Sequence, residues 1–251
     1  MKKTHNSRTA VLDSPVEAGA QDDRMLETFS LFIHDLESPL ASIKYLLKLL
    51  EENRLDPERE QHRQLVRSSR IALERSESIL YDIMAVAKSG EDSLPVSLTN
   101  FVVDSIVKEA ILLVTGSASE AGVEVAYTNN SGNTSVVADP QLLKRALDNL
   151  LYNAVRHTPS GGKVSVYTDC GKTHLSIHIK DSGPGLDGIE PESLFEKYGQ
   201  VRLRGQGKHR GVGLGLYFCK LASAAMGGTI AADDHEAGGA VFTLMLRKSE
   251  E

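Results

Sequence analysis

Residues 148–157, Asp148-Asn149-Leu150-Leu151-Tyr152-Asn153-Ala154-Val155-Arg156-His157, decide how the C-terminal half of this chain is read. Asp139 is a plausible N-cap and Pro140 suits a first helical position, so a helix is expected over 140–157. Helical spacing then puts Asn149, Asn153 and His157 (or Arg156) on one face. An amide oxygen at Asn153 can serve as a hard ligand for Mg²⁺, which takes few protein groups and completes its shell with substrate phosphates. Two asparagines alone fit a solvated polar face equally well.

Two glycine-bearing stretches lie downstream. Asp181-Ser182-Gly183-Pro184-Gly185-Leu186 follows an apolar-alternating strand. A buried carboxylate there can accept a hydrogen bond from the exocyclic amine of adenine, while the glycines let backbone approach the base. Guanine presents an acceptor at the matching position, so adenine is favoured. Gly211-Val212-Gly213-Leu214-Gly215-Leu216 runs into a helix, where backbone amides can cradle phosphates. It is not a P-loop, because no Gly-Lys-Ser/Thr follows, and it lacks the third glycine of G-x-G-x-x-G. Each stretch alone is an ordinary turn. Their order and spacing carry the inference.

The three stretches resemble the N, G1 and G2 boxes of the Bergerat-type ATP-binding fold, shared by histidine kinases, heat-shock chaperone ATPases, type II topoisomerases and mismatch-repair ATPases. Leu194-Phe195-Glu196-Lys197-Tyr198 looks like the F box of histidine kinases. The resemblance implies that Asn153 holds Mg²⁺, that Asp181 reads adenine, and that Gly183, Gly185, Gly211, Gly213, Leu214 and Gly215 shape the ATP pocket. Asn149, Arg156, His157, Phe195 and Tyr198 join the nucleotide-contacting set. Residues 183–210 would be a lid over the nucleotide. In the ATPase branches of this fold a glutamate four residues before the metal-binding asparagine activates water. Here that position is Asn149, which is no general base at neutral pH. The resemblance therefore points to a kinase, which holds ATP until another nucleophile arrives.

That nucleophile has a candidate in the N-terminal half. Phe29, Ile33, Leu36, Leu40, Ile43, Leu47 and Leu50 recur at alternating steps of four and three, a seam of roughly 3.5 residues. Asp56-Pro57 interrupts the pattern, and a second helix is expected from about residue 58 to 88, with its seam through Leu65, Ala72, Ile79, Ile83 and Val86. Ser69 and Ser76 interrupt that seam. Such a hairpin cannot bury both stripes alone. Pairing two hairpins into a four-helix bundle predicts a homodimer, and the narrow seam favours this over packing on the chain's own remainder. Ile33-His34-Asp35-Leu36-Glu37-Ser38-Pro39-Leu40 resembles the H box of histidine kinases. By that resemblance His34 is the phosphoacceptor, Asp35 orients its imidazole, and a response-regulator receiver domain docks to take the phosphoryl group. Ser38 partly matches the Thr or Asn that positions water for regulator dephosphorylation. Glu37 departs from the usual Arg or Lys, and His157 from a common Tyr.

The fold expected is α+β: an antiparallel helical hairpin forming a dimeric four-helix bundle, then an α/β sandwich with helices on one sheet face. The organisation expected is a flexible leader over 1–23, the phosphotransfer hairpin over 24–89, a linker over 90–98 and the ATP-binding domain over 99–248. A formal net charge of -6 gives no electrostatic reason for nucleic-acid binding. Cys170 and Cys219 match no metal or redox spacing and read as reduced thiols of a cytoplasmic protein. No apolar run is long enough to span a bilayer. His174 and His178 share a strand face but lie about 13 Å apart, too far for one metal. Two rivals are an anti-sigma-type serine kinase, opposed by the H box, and a degenerate scaffold, opposed by the intact boxes.

Overall fold

The computed structural model describes residues 36–37, 40–88, 94–196, 214–236 and 238–249. Its elements run α1 (40–51), α2 (Glu60–Lys88), β1 (Thr99–Val102), α3 (Val103–Ala121), β2 (Glu124–Asn129), β3 (Ser135–Ala138), α4 (Pro140–His157), β4 (Lys163–Cys170), β5 (His174–Lys180), α5 (Pro191–Leu194), α6 (Leu214–Ala225), β6 (Thr229–Asp234) and β7 (Ala240–Arg247).

α1 ends where Asn53 adopts φ 53°, a left-handed C-cap, and Arg54 N–H reaches back to the Leu49 carbonyl at 2.9 Å. Asp56 starts the return: its Oδ1 accepts from Glu58 N–H at 3.0 Å, and its Oδ2 meets Arg59 at 3.3 Å. Between the helices, Leu49, Ser69, Ala72 and Ser76 are buried. The two serines expected to interrupt packing belong to this inner face. Ser69 Oγ donates across the hairpin to the Ser42 carbonyl at 3.2 Å, and Ser76 Oγ to the Ala72 carbonyl at 2.9 Å. Small satisfied hydroxyls let helices approach as alanines would. The expected α1 seam is not this inner face: Leu40, Leu47 and Leu50 are about half exposed, at 49%, 53% and 49%. On α2, Val66, Leu73 and Leu80 form a matching outer stripe at steps of seven, each 45–51% exposed. α2 also packs against α6, and Ile71 Cδ1 lies 3.6 Å from where a Cβ on Gly116 of α3 would be.

The rest is a mixed sheet with helices on one face, in strand order β2-β4-β5-β7-β6. β2 and β4 are parallel; the β4–β5, β5–β7 and β6–β7 pairs are antiparallel. Alternate residues Val164, Val166, Leu175, Ile177, Ile179, Phe242, Leu244 and Leu246 turn to one side and are buried. α3, α4 and α6 supply the other half of that core through Val107, Val114, Leu143, Leu147, Leu150 and Phe218. α4 and α6 are bound by the Arg145 guanidinium, 4.2 Å above the Phe218 ring, and by Cys219 Sγ donating to the Ala146 carbonyl at 3.4 Å.

One expectation is corrected. From its sequence alone, Phe101 to about Thr115 reads as helical. Thr99–Val102 instead forms a short strand antiparallel to β3, and the helix continues to Ala121. Gly116, Ser117 and Ser119 have low helix propensity, but the buried series Val107, Ala110, Val114 and Ala118 continues past them, and packing overrides propensity. Within the segment expected to be linker, residues 94–98 are irregular but anchored. Leu94 packs on the core, and Ser97 N–H donates to Asp139 Oδ2 at 2.8 Å.

Asp139 is therefore bifunctional, since its Oδ1 caps α4 by accepting from Gln141 and Leu142 N–H at 2.9 and 3.1 Å. Asp139→Ala should cost about 1–3 kcal/mol of stability, more than a cap alone, because the Ser97 amide also loses its partner. Asp139→Asn keeps one acceptor oxygen, so it should recover the share of either the cap or the Ser97 amide but not both. Urea unfolding of the whole chain measures both.

Candidate functional site

Strand order brings the end of β5 beside the start of β7. Asp181, the residue after β5, is 3% exposed. Its Oδ1 accepts from Gly183 N–H at 2.8 Å and from Ala240 N–H at 3.2 Å, while its own N–H donates to the Ala240 carbonyl at 3.0 Å. Burial pushes the Asp181 carboxyl above the usual carboxylate range, and the two backbone donors oppose that shift. Its second oxygen makes no hydrogen bond among the described residues and remains available as an acceptor.

An open cavity of about 380 Å³ adjoins this carboxylate, lined by Asn153, His157, Asp181, Pro184, Gly185, Leu186, Leu194, Leu216, Ala240 and Phe242. One wall is α4, whose four-residue spacing delivers Asn153 and His157 together. Asn149, one turn earlier, faces the first turn of α6: its Oδ1 lies 3.0 Å from where a Cβ on Gly215 would be. A side chain at Gly215 would thus press on Asn149. Gly183 is required for a similar reason, since a Cβ there would sit 2.5 Å from the His157 carbonyl. Gly185 has φ 79°, which favours glycine.

The sequence-expected residues divide accordingly. Asn153, His157, Asp181 and Gly185 line one cavity, and Asn149, Gly183 and Gly215 touch its frame. Leu214 is buried at the start of α6. Phe195 is buried behind the wall, edge-on to Phe242 at 6.3 Å, and Arg156 is exposed outside the lining. His34, Asp35, Ser38, Tyr198, Gly211 and Gly213 lie outside the described residues. Sequence reading missed the apolar lining, Leu186, Leu194, Leu216, Ala240 and Phe242, and the glycine beside it. A Cβ on Gly239 would collide with the Asp181 carbonyl. Gly238-Gly239 before an alternating strand was the available signal.

Residues 138–250 match the family described as histidine kinase-, DNA gyrase B-, and HSP90-like ATPase. Across most of its length the chain is 27% identical over 229 residues to the adaptive-response sensory kinase SasA of Synechocystis, covering 88% of this chain and 58% of that protein. It is 30% identical over 217 residues to the sensor-like histidine kinase SenX3 of Mycobacterium tuberculosis, covering 85% and 51%. Residues 138–250 thus match that ATPase family, and the relatives named here are sensory or sensor histidine kinases. It spans about half the length of the curated relatives it matches. The solved histidine kinase ThkA, in complex with the response regulator protein TrrA, shares its fold: TM-score 0.58 and 19% identity, covering 91% of this chain and 64% of that one. Among the described residues, no helix is long and apolar enough to cross a membrane, and no cluster of three His, Cys, Asp or Glu could hold a metal.

The buried carboxylate gives a test of the site. Because folding raises the Asp181 pKa, its ionised form costs stability at neutral pH, and the cost disappears as pH falls through the raised value. Asp181→Asn keeps an oxygen for the two backbone donors and removes the charge. The nucleotide-free variant should melt at or above the wild-type temperature at pH 7, with the difference shrinking toward pH 4. Calorimetry across that range measures it.

Proposed function

We propose that this chain is an ATP-dependent protein-histidine kinase that phosphorylates its own His34 and passes the phosphoryl group to an aspartate of a response-regulator receiver domain. The observation that carries this reading is one cavity in which a buried Asp181 faces the Asn153–His157 face of α4. Asp181 accepts from the adenine amine, and Leu186, Leu194, Leu216 and Phe242 offer apolar surface to the ring. Asn153 suits Mg²⁺: a single neutral amide oxygen, with no carboxylate among the lining residues except Asp181, fits an ion that takes most of its ligands from water and phosphate. When bound, the ion offsets charge on the phosphates. Asn149, against Gly215, offers no base for water, which supports transfer over hydrolysis.

In the transfer, one ring nitrogen of His34 forms a bond to the γ-phosphorus. The bond from that phosphorus to the bridging oxygen breaks, and ADP leaves with the electron pair. Asp35 accepts a hydrogen bond from the other ring nitrogen. Such chemistry depends mainly on positioning. A receiver aspartate oxygen then bonds to that phosphorus as its bond to the His34 nitrogen breaks and the electron pair returns to the imidazole, and Ser38 positions water for the separate task of regulator dephosphorylation. The regulator assignment draws support from ThkA, whose solved complex contains one. This chemistry suits the cytoplasm, where ATP and reduced thiols are maintained.

The reading includes a homodimer. The outer stripes Leu40–Leu47–Leu50 and Val66–Leu73–Leu80 are half exposed on a hairpin whose inner face is already filled. A second hairpin against them gives a four-helix bundle.

Incubation with labelled ATP should yield an acid-labile, alkali-stable phosphoryl group. His34→Ala should lose at least about 99% of the label yet bind Mg-ADP as the wild type does; persistent labelling would place the acceptor elsewhere. Leu47→Lys with Leu73→Lys should convert a dimeric mass to a monomeric one in light scattering, because unpaired charges would enter the seam. A monomeric wild type would refute the bundle.

A further inference from the structure

The turn that shapes the adenine end of the cavity does not support itself. Gly185, Asp187 and Gly188 all have positive φ, at 79°, 52° and 71°. Asp187 is not a glycine, so this backbone is held by its surroundings. Between them Leu186 is 5% exposed and lines the cavity. Its carbonyl accepts from Ile189 N–H at 3.0 Å, which closes the turn on one side.

The other side is closed from a different strand. Asp234, the last residue of β6, takes the Leu186 N–H on Oδ1 at 2.6 Å. The same oxygen lies 2.5 Å from where a Cβ on Gly185 would be. Asp234 is outside the cavity lining and outside every motif read from the sequence. The turn that follows it is fixed in its own right. His235 N–H donates to the Gly239 carbonyl at 2.9 Å, and Lys180 Nζ lies 3.0 Å from His235 Nε2. Gly239 and Ala240 then meet Asp181 directly. Asp234 on one side of the β6–β7 connection, and Gly239 and Ala240 on the other, therefore grip the 181–186 loop at both ends.

We propose that Asp234 is a positioning residue for adenine selection: it fixes the Leu186 amide, and through it the apolar edge that sets the ring against Asp181. This rests on the nucleotide reading of the cavity. A carboxylate acceptor on a backbone amide is short and charge-assisted. Its loss leaves the amide without a fixed partner and frees a turn already in an uncommon conformation. The base edge then loses its register with Asp181, so adenine and guanine nucleotides are told apart less well.

The test is calorimetric titration of the full chain with Mg-ADP and with Mg-GDP, for wild type, Asp234→Ala and Asp234→Asn. Asp234→Ala should bind Mg-ADP about tenfold more weakly, the scale of one hydrogen bond to a charged group, and its preference over Mg-GDP should fall by a similar factor. Asp234→Asn, which keeps an oxygen but no charge, should lose about threefold and covers the case of an Ala variant that folds poorly. Amide exchange at Leu186 should accelerate in the Ala variant. Wild-type ADP affinity and selectivity in both variants would overturn the role of Asp234 while leaving the pocket intact. A wild type that binds no Mg-ADP would overturn the nucleotide reading, and this proposal with it. A variant that lowers the unfolding midpoint without changing selectivity would reduce Asp234 to a structural residue and overturn the proposal.

Discussion

Oδ1 of Asp181 accepts two backbone amides, one from the loop after β5 and one from the first residue of β7. Holding a carboxylate in the interior is costly unless its lone pairs are met, and backbone donors meet them without introducing another charge. Much of the local architecture follows from that need. β7 must lie beside β5, Gly239 must lack a side chain where it passes the Asp181 carbonyl, and Gly183 must pass close to the last turn of α4. The oxygen that remains is available to a ligand.

The helices position the opposite wall. α4 is amphipathic in an unusual sense: its apolar face fills the core with Leu143, Leu147, Leu150 and Leu151, while Asn149, Asn153 and His157 turn toward α6 and the cavity. Asp139 fixes where that helix starts and so fixes the phase of its polar residues. The same carboxylate holds Ser97, which ties the segment arriving from the hairpin to the wall of the site.

The helical hairpin answers to a different constraint. Small residues on its inner face, Ser69, Ala72 and Ser76, let α1 and α2 close on each other around Leu49, while Leu40, Leu47, Leu50, Val66, Leu73 and Leu80 stay about half exposed. Heptad counting found the apolar repeat but could not say which flank faced which helix. An apolar repeat can serve the partner helix of the hairpin or another surface, and the repeat alone does not separate them.

The sequence by itself determined much of the local structure and the chemical vocabulary: the capped helix Pro140–His157, the four-residue spacing of Asn149, Asn153 and His157, and a carboxylate followed by glycines at a strand end. These are local, set by capping, periodicity and turn chemistry within a few residues. Tertiary structure alone decided which distant segments complete the site. Asp234 lies 48 residues from the amide it holds. Ala240 and Phe242 enter the cavity only because β7 inserts between β5 and β6. Strand β1 likewise exists only because β3 is there to receive its hydrogen bonds; taken alone, Phe101 and Val102 continue the apolar pattern of the helix after them. Strand pairing is non-local, and an edge that needs a partner carries no record in its own sequence of which partner it will find.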